Sequence, residues 1–207
     1  MIGRFLSLDG PDGGGKTTQA ARLVDWLRGR GLDVVACRDP GGTALGERVR
    51  SILLDRSVVE PVLRAEMLLF MASRAQLVDE VIRPALEAGK VVVSDRYLLA
   101  NVVYQGYAGG LPVESIWEVG KAATGGLMPD LTLVLDVPAD VARARVGKAR
   151  DRMEDRTDAD RIRAGFLEAV PTYPAPIKVV DASGDPDAVA RRIQDEVADA
   201  LAIDPRP

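Results

Sequence analysis

Residues 5–18 read FLSLDGPDGGGKTT: a short apolar strand ending at Asp9, the octapeptide GPDGGGKT from Gly10 to Thr17, and the start of a helical pattern. The octapeptide fits G-x-x-x-x-G-K-[ST] in the strand-then-helix context that this motif requires. At the chain's own Gly, Lys and Ser/Thr frequencies, chance gives roughly 0.003 matches per chain of this length. Glycines let successive N–H groups turn inward around a phosphate at the positive end of a helix. Gly10, Pro11, Asp12, Gly13, Gly14, Gly15, Lys16, Thr17 and Thr18 are therefore expected to cradle a nucleotide's phosphates. Lys16 would reach the outer phosphates, and the Thr17 hydroxyl would ligate Mg²⁺. A glycine-rich helix cap explains one or two glycines but neither Lys16 nor its spacing.

Outward from this loop, Pro/Gly punctuation separates short apolar runs from longer helical patterns, which reads as alternating β and α. Candidate strands are Phe5 to Asp9, Val34 to Cys37, Val91 to Ser94, Leu131 to Asp136 and Ile177 to Asp181. Several are continuous apolar runs that suit a parallel sheet buried on both faces. The clearest helix is the last, where Val189, Ile193, Val197 and Leu201 recur every fourth residue opposite Arg191, Arg192, Asp195 and Asp199. Five strands with crossover helices imply an α/β fold, a doubly wound five-stranded parallel sheet whose ligands bind beyond the carboxyl ends of the strands.

Composition narrows the chemistry. The chain has 207 residues, 47% hydrophobic and 28% charged, which fits one domain (1–207) and is too apolar for intrinsic disorder. No apolar run approaches the roughly 20 residues that span a bilayer, and MIGRFLSLDG lacks a basic stretch followed by an apolar segment, so a cytoplasmic location and no membrane partner are expected. The single cysteine, Cys37, leaves no intrachain disulfide, and the absence of histidine removes Ser-His-Asp, Cys-His and His-ligated zinc chemistry. Catalysis must use Lys, Arg, Asp and metal. A net charge of −4 argues against a nucleic-acid partner, although 22 of the 27 basic residues are Arg, the side chain best shaped for phosphate.

Two further segments carry candidate chemistry. VVVSDRY places Asp95 and Arg96 at the end of the third strand beside the phosphate loop, the carboxylate able to hold Mg²⁺ and the guanidinium to grip a second phosphate; a strand-end ion pair is the plainer reading. RDPGGTALGERVR follows the second strand, with Arg38 and Arg50 flanking a Pro-Gly-Gly turn, and reads equally as a solvated loop.

Together these segments resemble thymidylate kinase over nearly the whole chain. The family's acidic phosphate loop is matched through Asp12, its R-E-P-G-G-T by Arg38 to Thr43 with Asp39 for Glu, its L-F-A-A-D-R-A-Q by LFMASRAQ at Leu69 to Gln76, and its D-R-Y-x-x-S-x-x-A-Y-Q-G by Asp95 to Gly106. The resemblance implies a P-loop nucleoside monophosphate kinase fold with strand order 2-3-1-4-5, ATP and dTMP as substrates, Mg²⁺ held by Thr17 and Asp95, and a homodimer. It assigns Phe70 to stacking on thymine, Arg74 and Asn101 to the base edge, and Arg38 and Arg96 to the dTMP phosphate. Asp12 would meet the sugar 3′-hydroxyl, Tyr104 would sit by the 2′ carbon, and Gln105 would complete the substrate pocket. Read alone, Phe70 is a core residue of an apolar helix and Arg74 a solvated one.

Four departures stand out. Gly109 occupies a position where the family commonly has arginine, Ala100 stands for Ser, Ser73 replaces an Asp before Arg74, and the region between Asp136 and Arg161 is about two residues short. That region, from Arg143 to Arg163, holds eight basic and five acidic residues, and reads either as an exposed charged helix or as a short lid at about 146–158. Family members carry an arginine for the transferring phosphoryl group in the phosphate loop or in the lid. Gly13 implies the second kind, with Arg150 and Arg152 as catalytic candidates beside Lys16 and Arg96, and Arg145 steadying a helix. Adenine would meet the backbone of Asp181 to Gly184. Alternative readings are another nucleoside monophosphate or deoxynucleoside kinase, or a nucleotide-binding regulator without catalysis.

Overall fold

The computed structural model describes residues 3–55, 60–146 and 158–202. Five strands, β1 (Arg4–Asp9), β2 (Val34–Arg38), β3 (Val91–Asp95), β4 (Leu131–Asp136) and β5 (Ile177–Asp181), form one sheet in the order β2-β3-β1-β4-β5. Every pairing is parallel. The strand positions agree with the apolar runs, and the order is the one implied by the resemblance. Three strands extend one residue beyond the apolar runs, to Arg4, Arg38 and Asp95, because the ladder continues through backbone groups whatever side chain they carry.

Helix α1 (Lys16–Arg28) follows the glycine loop. Next come α2 (Ala44–Leu54), α3 (Leu63–Leu77), α4 (Arg83–Glu87), α5 (Leu98–Asn101), α6 (Val113–Thr124), α7 (Ala139–Val146), α8 (Ala159–Ala169) and α9 (Pro186–Leu201). Thr43 caps α2 by accepting the Gly46 N–H at 2.9 Å, and Asp185 caps α9 by accepting the Asp187 N–H at 2.8 Å, with Pro186 at the first helical position.

Apolar layers cover both faces of the sheet. On one, Leu23 and Leu27 of α1 and Val189, Ile193 and Val197 of α9 pack against Leu6, Leu8, Leu133 and Leu135. On the other, Met67 and Met71 of α3 and Ile116 of α6 pack with Phe5, Val92 and Leu98. A third cluster joins Val103 and Tyr104 to Val134 of β4 and to Ile162 and Phe166 of α8. Beyond α5 the chain runs through a wide i→i+5 turn, Val102–Tyr107, which the sequence pattern did not foretell. This turn sets Tyr104 and Gln105 beside the strand ends.

Candidate active site

An open cleft of about 810 Å³ runs across the carboxyl ends of the strands. One end is walled by the phosphate loop from Asp12 to Thr18, with Arg145 and Gly184 beside it; the other is walled by Phe70, Arg74, Asn101, Tyr104 and Gln105. Arg38, Asp95 and Arg96 lie along the same cleft. Gly10 and Pro11 do not line it; their carbonyl groups instead hold the site's cations from behind. Lys16 Nζ donates to Pro11 O at 2.7 Å, and Arg96 Nη1 donates to Gly10 O at 2.9 Å. Arg150 and Arg152 lie outside the described residues.

Lys16 is buried, with its Nζ 3.9 Å from Asp12 Oδ1. Burial, aided by the Arg96 charge, pushes its amine down to about 8 against the pull of Asp12, Asp95 and Asp9. The Thr17 hydroxyl donates to Asp95 Oδ2 at 2.6 Å. The first turn of α1 and the end of β3 thus bring two hard oxygen donors together beside the phosphate loop. Among the described residues no group of three or more acidic, Cys or His side chains could cage a metal. The pair fits an ion that keeps most of its coordination for water and phosphate, as Mg²⁺ does.

Arg96 has a positive φ of 69°, a conformation that costs a side-chain-bearing residue on the order of 1 kcal/mol. Its backbone is held there from two sides: the N–H donates to Leu8 O at 2.9 Å, and its carbonyl accepts from Ser94 Oγ at 2.7 Å. The guanidinium is thereby aimed across the cleft floor to Asp12 Oδ1 and to the Tyr104 hydroxyl at 3.2 Å. Tyr104 donates to Asp12 Oδ2 at 2.7 Å, and burial holds its phenol well above the ordinary value, so it remains a donor at neutral pH. Burial acts to raise the Asp12 carboxyl, but the charges of Arg96 and Lys16 and these hydrogen bonds outweigh it and hold Asp12 below the usual range.

Arg74 is 1% exposed and forms a buried ion pair, Nε donating to Asp39 Oδ2 at 2.5 Å. Its Nη1 donates to Met71 Sδ and Asn101 Oδ1, both at 3.0 Å, and Nη2 to Tyr97 O at 3.4 Å. These four bonds leave one of the five guanidinium hydrogens, on Nη2, for a ligand. Ser73 does not hold Arg74: its hydroxyl accepts the Gly41 N–H at 3.2 Å and so ties α3 to the Pro-Gly-Gly turn. Phe70 is half-buried, packing against the third cluster while also lining the cleft.

Arg38 is exposed and paired with Glu47 at 2.8 Å. Arg50 also lines the cleft, donating to Pro40 O at 2.9 Å; sequence reasoning noticed it only as a flank of the turn. Arg145 departs from expectation. Instead of steadying α7, it lines the cleft and donates to Gly13 O at 3.5 Å, Ala182 O at 3.1 Å and Gly184 O at 3.4 Å, tying the phosphate loop to the loop after β5.

Two glycines are dictated by close approach. Gly13 has φ +78° and packs on α7, where a Cβ would fall 2.3 Å from Ala142 O. At Gly109 a Cβ would fall 2.6 Å from Gln105 O, so the backbone that closes the wide turn admits no side chain there, arginine included.

Residues 8–193 match the family model described as thymidylate kinase. The thymidylate kinase of Rhodopirellula baltica is 45% identical over 193 residues, covering 92% of this chain and 78% of the relative. That of Caldanaerobacter subterraneus subsp. tengcongensis is 42% identical over 205 residues, covering 97% and 98%. That of Rhizorhabdus wittichii is 43% identical over 207 residues, covering 97% and 100%.

Proposed function

The chain belongs to the thymidylate kinase family and phosphorylates dTMP to dTDP with ATP, and from this we propose that its cleft holds the two nucleotides end to end, their phosphates meeting between Lys16 and Arg96. The observation that carries this arrangement is the single cleft with a phosphate loop at one end and a buried, polar, aromatic-edged pocket at the other.

A phosphate monoester has a second pKa near 6, so at neutral pH dTMP is already a dianionic nucleophile and needs no strong base. The protein's work is alignment and charge. Lys16 binds the outer ATP phosphates, while Arg96, with Arg38 at the cleft edge, holds the dTMP phosphate in line. Asp12 and Tyr104, joined to Arg96 in one hydrogen-bonded group, meet the deoxyribose. Phe70 stacks on the base, with Arg74, Asn101 and Gln105 around its edge. Thr17 and Asp95 would hold Mg²⁺, which when bound neutralises charge on the phosphates.

The loop 181–184 and Arg145 border the adenine end. Within the one domain, 1–207, we assign the lid to about 146–158, of which 147–157 lie outside the described residues, and to its Arg150 and Arg152 the arginine that Gly13 does not supply. We also place the enzyme in the cytoplasm with its nucleotide substrates, as a homodimer. Exposed Leu45 of α2 and Leu68 of α3, helices packed on each other, support the dimer.

A coupled ADP-release assay with dTMP, dCMP, dGMP and UMP tests the pocket, and preference for any of the last three over dTMP would sink it. In the same assay Arg74→Ala is expected to lower kcat/KM for dTMP by about 2–3 kcal/mol, because a buried base oxygen loses a charged donor. A loss below about 1 kcal/mol would remove Arg74 from base recognition.

The Lys16 amine gives a pH prediction. It is charged below about 8 and neutral above, so the free enzyme loses attraction for ATP as pH rises through that value. The kcat/KM for ATP, which reports the free enzyme, should therefore fall in that range, while kcat changes less because bound phosphates favour the protonated amine. A flat kcat/KM profile from about pH 7 to 9.5 would contradict this.

A further inference from the structure

A chain of buried polar side chains leads away from the base end of the cleft. Arg74 Nη1 donates to Asn101 Oδ1 at 3.0 Å, Asn101 Nδ2 to Gln105 Oε1 at 2.6 Å, and Gln105 Nε2 to Glu66 Oε1 at 2.9 Å. All four residues are buried, Glu66 completely, and Glu66 does not line the cleft. Two turns of α3 separate Glu66 from Arg74 along one helix face. The α5 segment and its wide turn place Asn101 and Gln105 one turn apart, between those two charged residues.

The two ends impose a direction on the chain. A guanidinium has only donors, so it demands the oxygen of Asn101; a carboxylate accepts, so it demands the nitrogen of Gln105. The amides between are nearly symmetric in shape and can be turned over. Only one orientation of both satisfies both ends, and it leaves every bond in the chain with a donor facing an acceptor. A buried chain satisfied in this way is rigid, and one with a reversed member leaves two donors or two acceptors facing each other.

We infer that Glu66 is a specificity-determining positioning residue: through Gln105 it locks Asn101 with its carbonyl oxygen toward Arg74 and the base edge. The inference rests on the reading that Arg74 and Asn101 meet that edge. Thymine offers a ring N–H beside a carbonyl oxygen, which pairs with an Asn101 oxygen beside an Arg74 donor. Cytosine offers a bare ring nitrogen beside an amino group, and meets the same edge with lone pair against lone pair and donor against donor. Arg74 resists a turned Asn101 from one side and Glu66 from the other, so the pocket keeps its acceptor where thymine needs it.

The test is the ratio of kcat/KM for dTMP to that for dCMP. Asn101→Ala should lower it by about tenfold or more; an unchanged ratio in this variant overturns the base-edge reading itself. Glu66→Gln keeps the size of the side chain but lets residue 66 offer either an oxygen or a nitrogen, and should lower the ratio by about tenfold while kcat for dTMP changes by less than about threefold. Glu66→Asp keeps a carboxylate acceptor at the end of the chain and should hold the ratio within about threefold of wild type, a rescue that a packing role would not give, because Asp leaves the larger gap. A lowered ratio for Asn101→Ala together with an unchanged ratio for a folded Glu66→Gln overturns the role of Glu66. If Glu66→Gln does not fold, Glu66→Asp and Glu66→Leu decide: a wild-type ratio in the first with a tenfold lower ratio in the second upholds the locked chain, and equal ratios in the two overturn it.

Discussion

Lys16→Ala is expected to leave a folded protein whose kcat is about 10³-fold lower, since a charge aimed at the transferring phosphoryl group acts mainly in the transition state. The side chain is buried with its amine 2.7 Å from Pro11 O, so the loop positions it before any nucleotide arrives. Lys16→Met, which keeps most of the stem and removes the charge, separates packing from electrostatics and should lose as much activity as Ala. Circular dichroism with steady-state kinetics decides the matter. A folded Lys16→Met enzyme within about threefold of wild type would remove Lys16 from catalysis.

The second large effect is expected from Arg150→Ala/Arg152→Ala. An arginine closing on the phosphates contributes about 10³-fold or more to kcat by analogy with arginine fingers, with dTMP affinity changed by less than about threefold. The phosphate loop has no room for that arginine, because a Cβ at Gly13 would lie 2.3 Å from Ala142 O. Arg145 is occupied by three carbonyl groups. Kinetics and dTMP calorimetry on both single variants and the double variant test this. A double variant that keeps more than about a tenth of wild-type kcat makes the pair a solvated charge cluster.

The strands were legible because both faces of a parallel sheet are buried, which prints continuous apolar runs such as Val91 to Val93 on the sequence. The glycine loop was legible because phosphate binding needs backbone, and backbone freedom is written directly as glycine. What pairs with what was not legible. Asp39 anchors Arg74 across 35 residues and Gln105 reaches Glu66 across 39, and no local pattern records such distances. Glu66 in particular belongs to none of the motifs singled out in the sequence, yet it is completely buried. Phe70 and Arg74 came from the resemblance alone, since an aromatic and a cation one turn apart on a helix carry no signature of their own. Ser73 shows the limit of such alignment: it stands where the family commonly has Asp, yet Arg74 is held all the same, because Asp39 supplies the carboxylate.

The contact of Gly13 with α7 also bears on how these enzymes change over generations. The resemblance implies two kinds of kinase, one with its arginine in the phosphate loop and one with it in a lid, and at position 13 they would differ by one substitution. In this backbone an arginine at 13 would drive its Cβ into Ala142 O and would have to be held at φ +78°, so it disrupts the loop before it can serve it. Making room means withdrawing α7, and with it Arg145, which ties that helix to the loops at 182 and 184. An ancestor carrying both arginines is thus no passable halfway form on this scaffold. The exchange needs the helix to move first, and lineages on either side of it are expected to stay there.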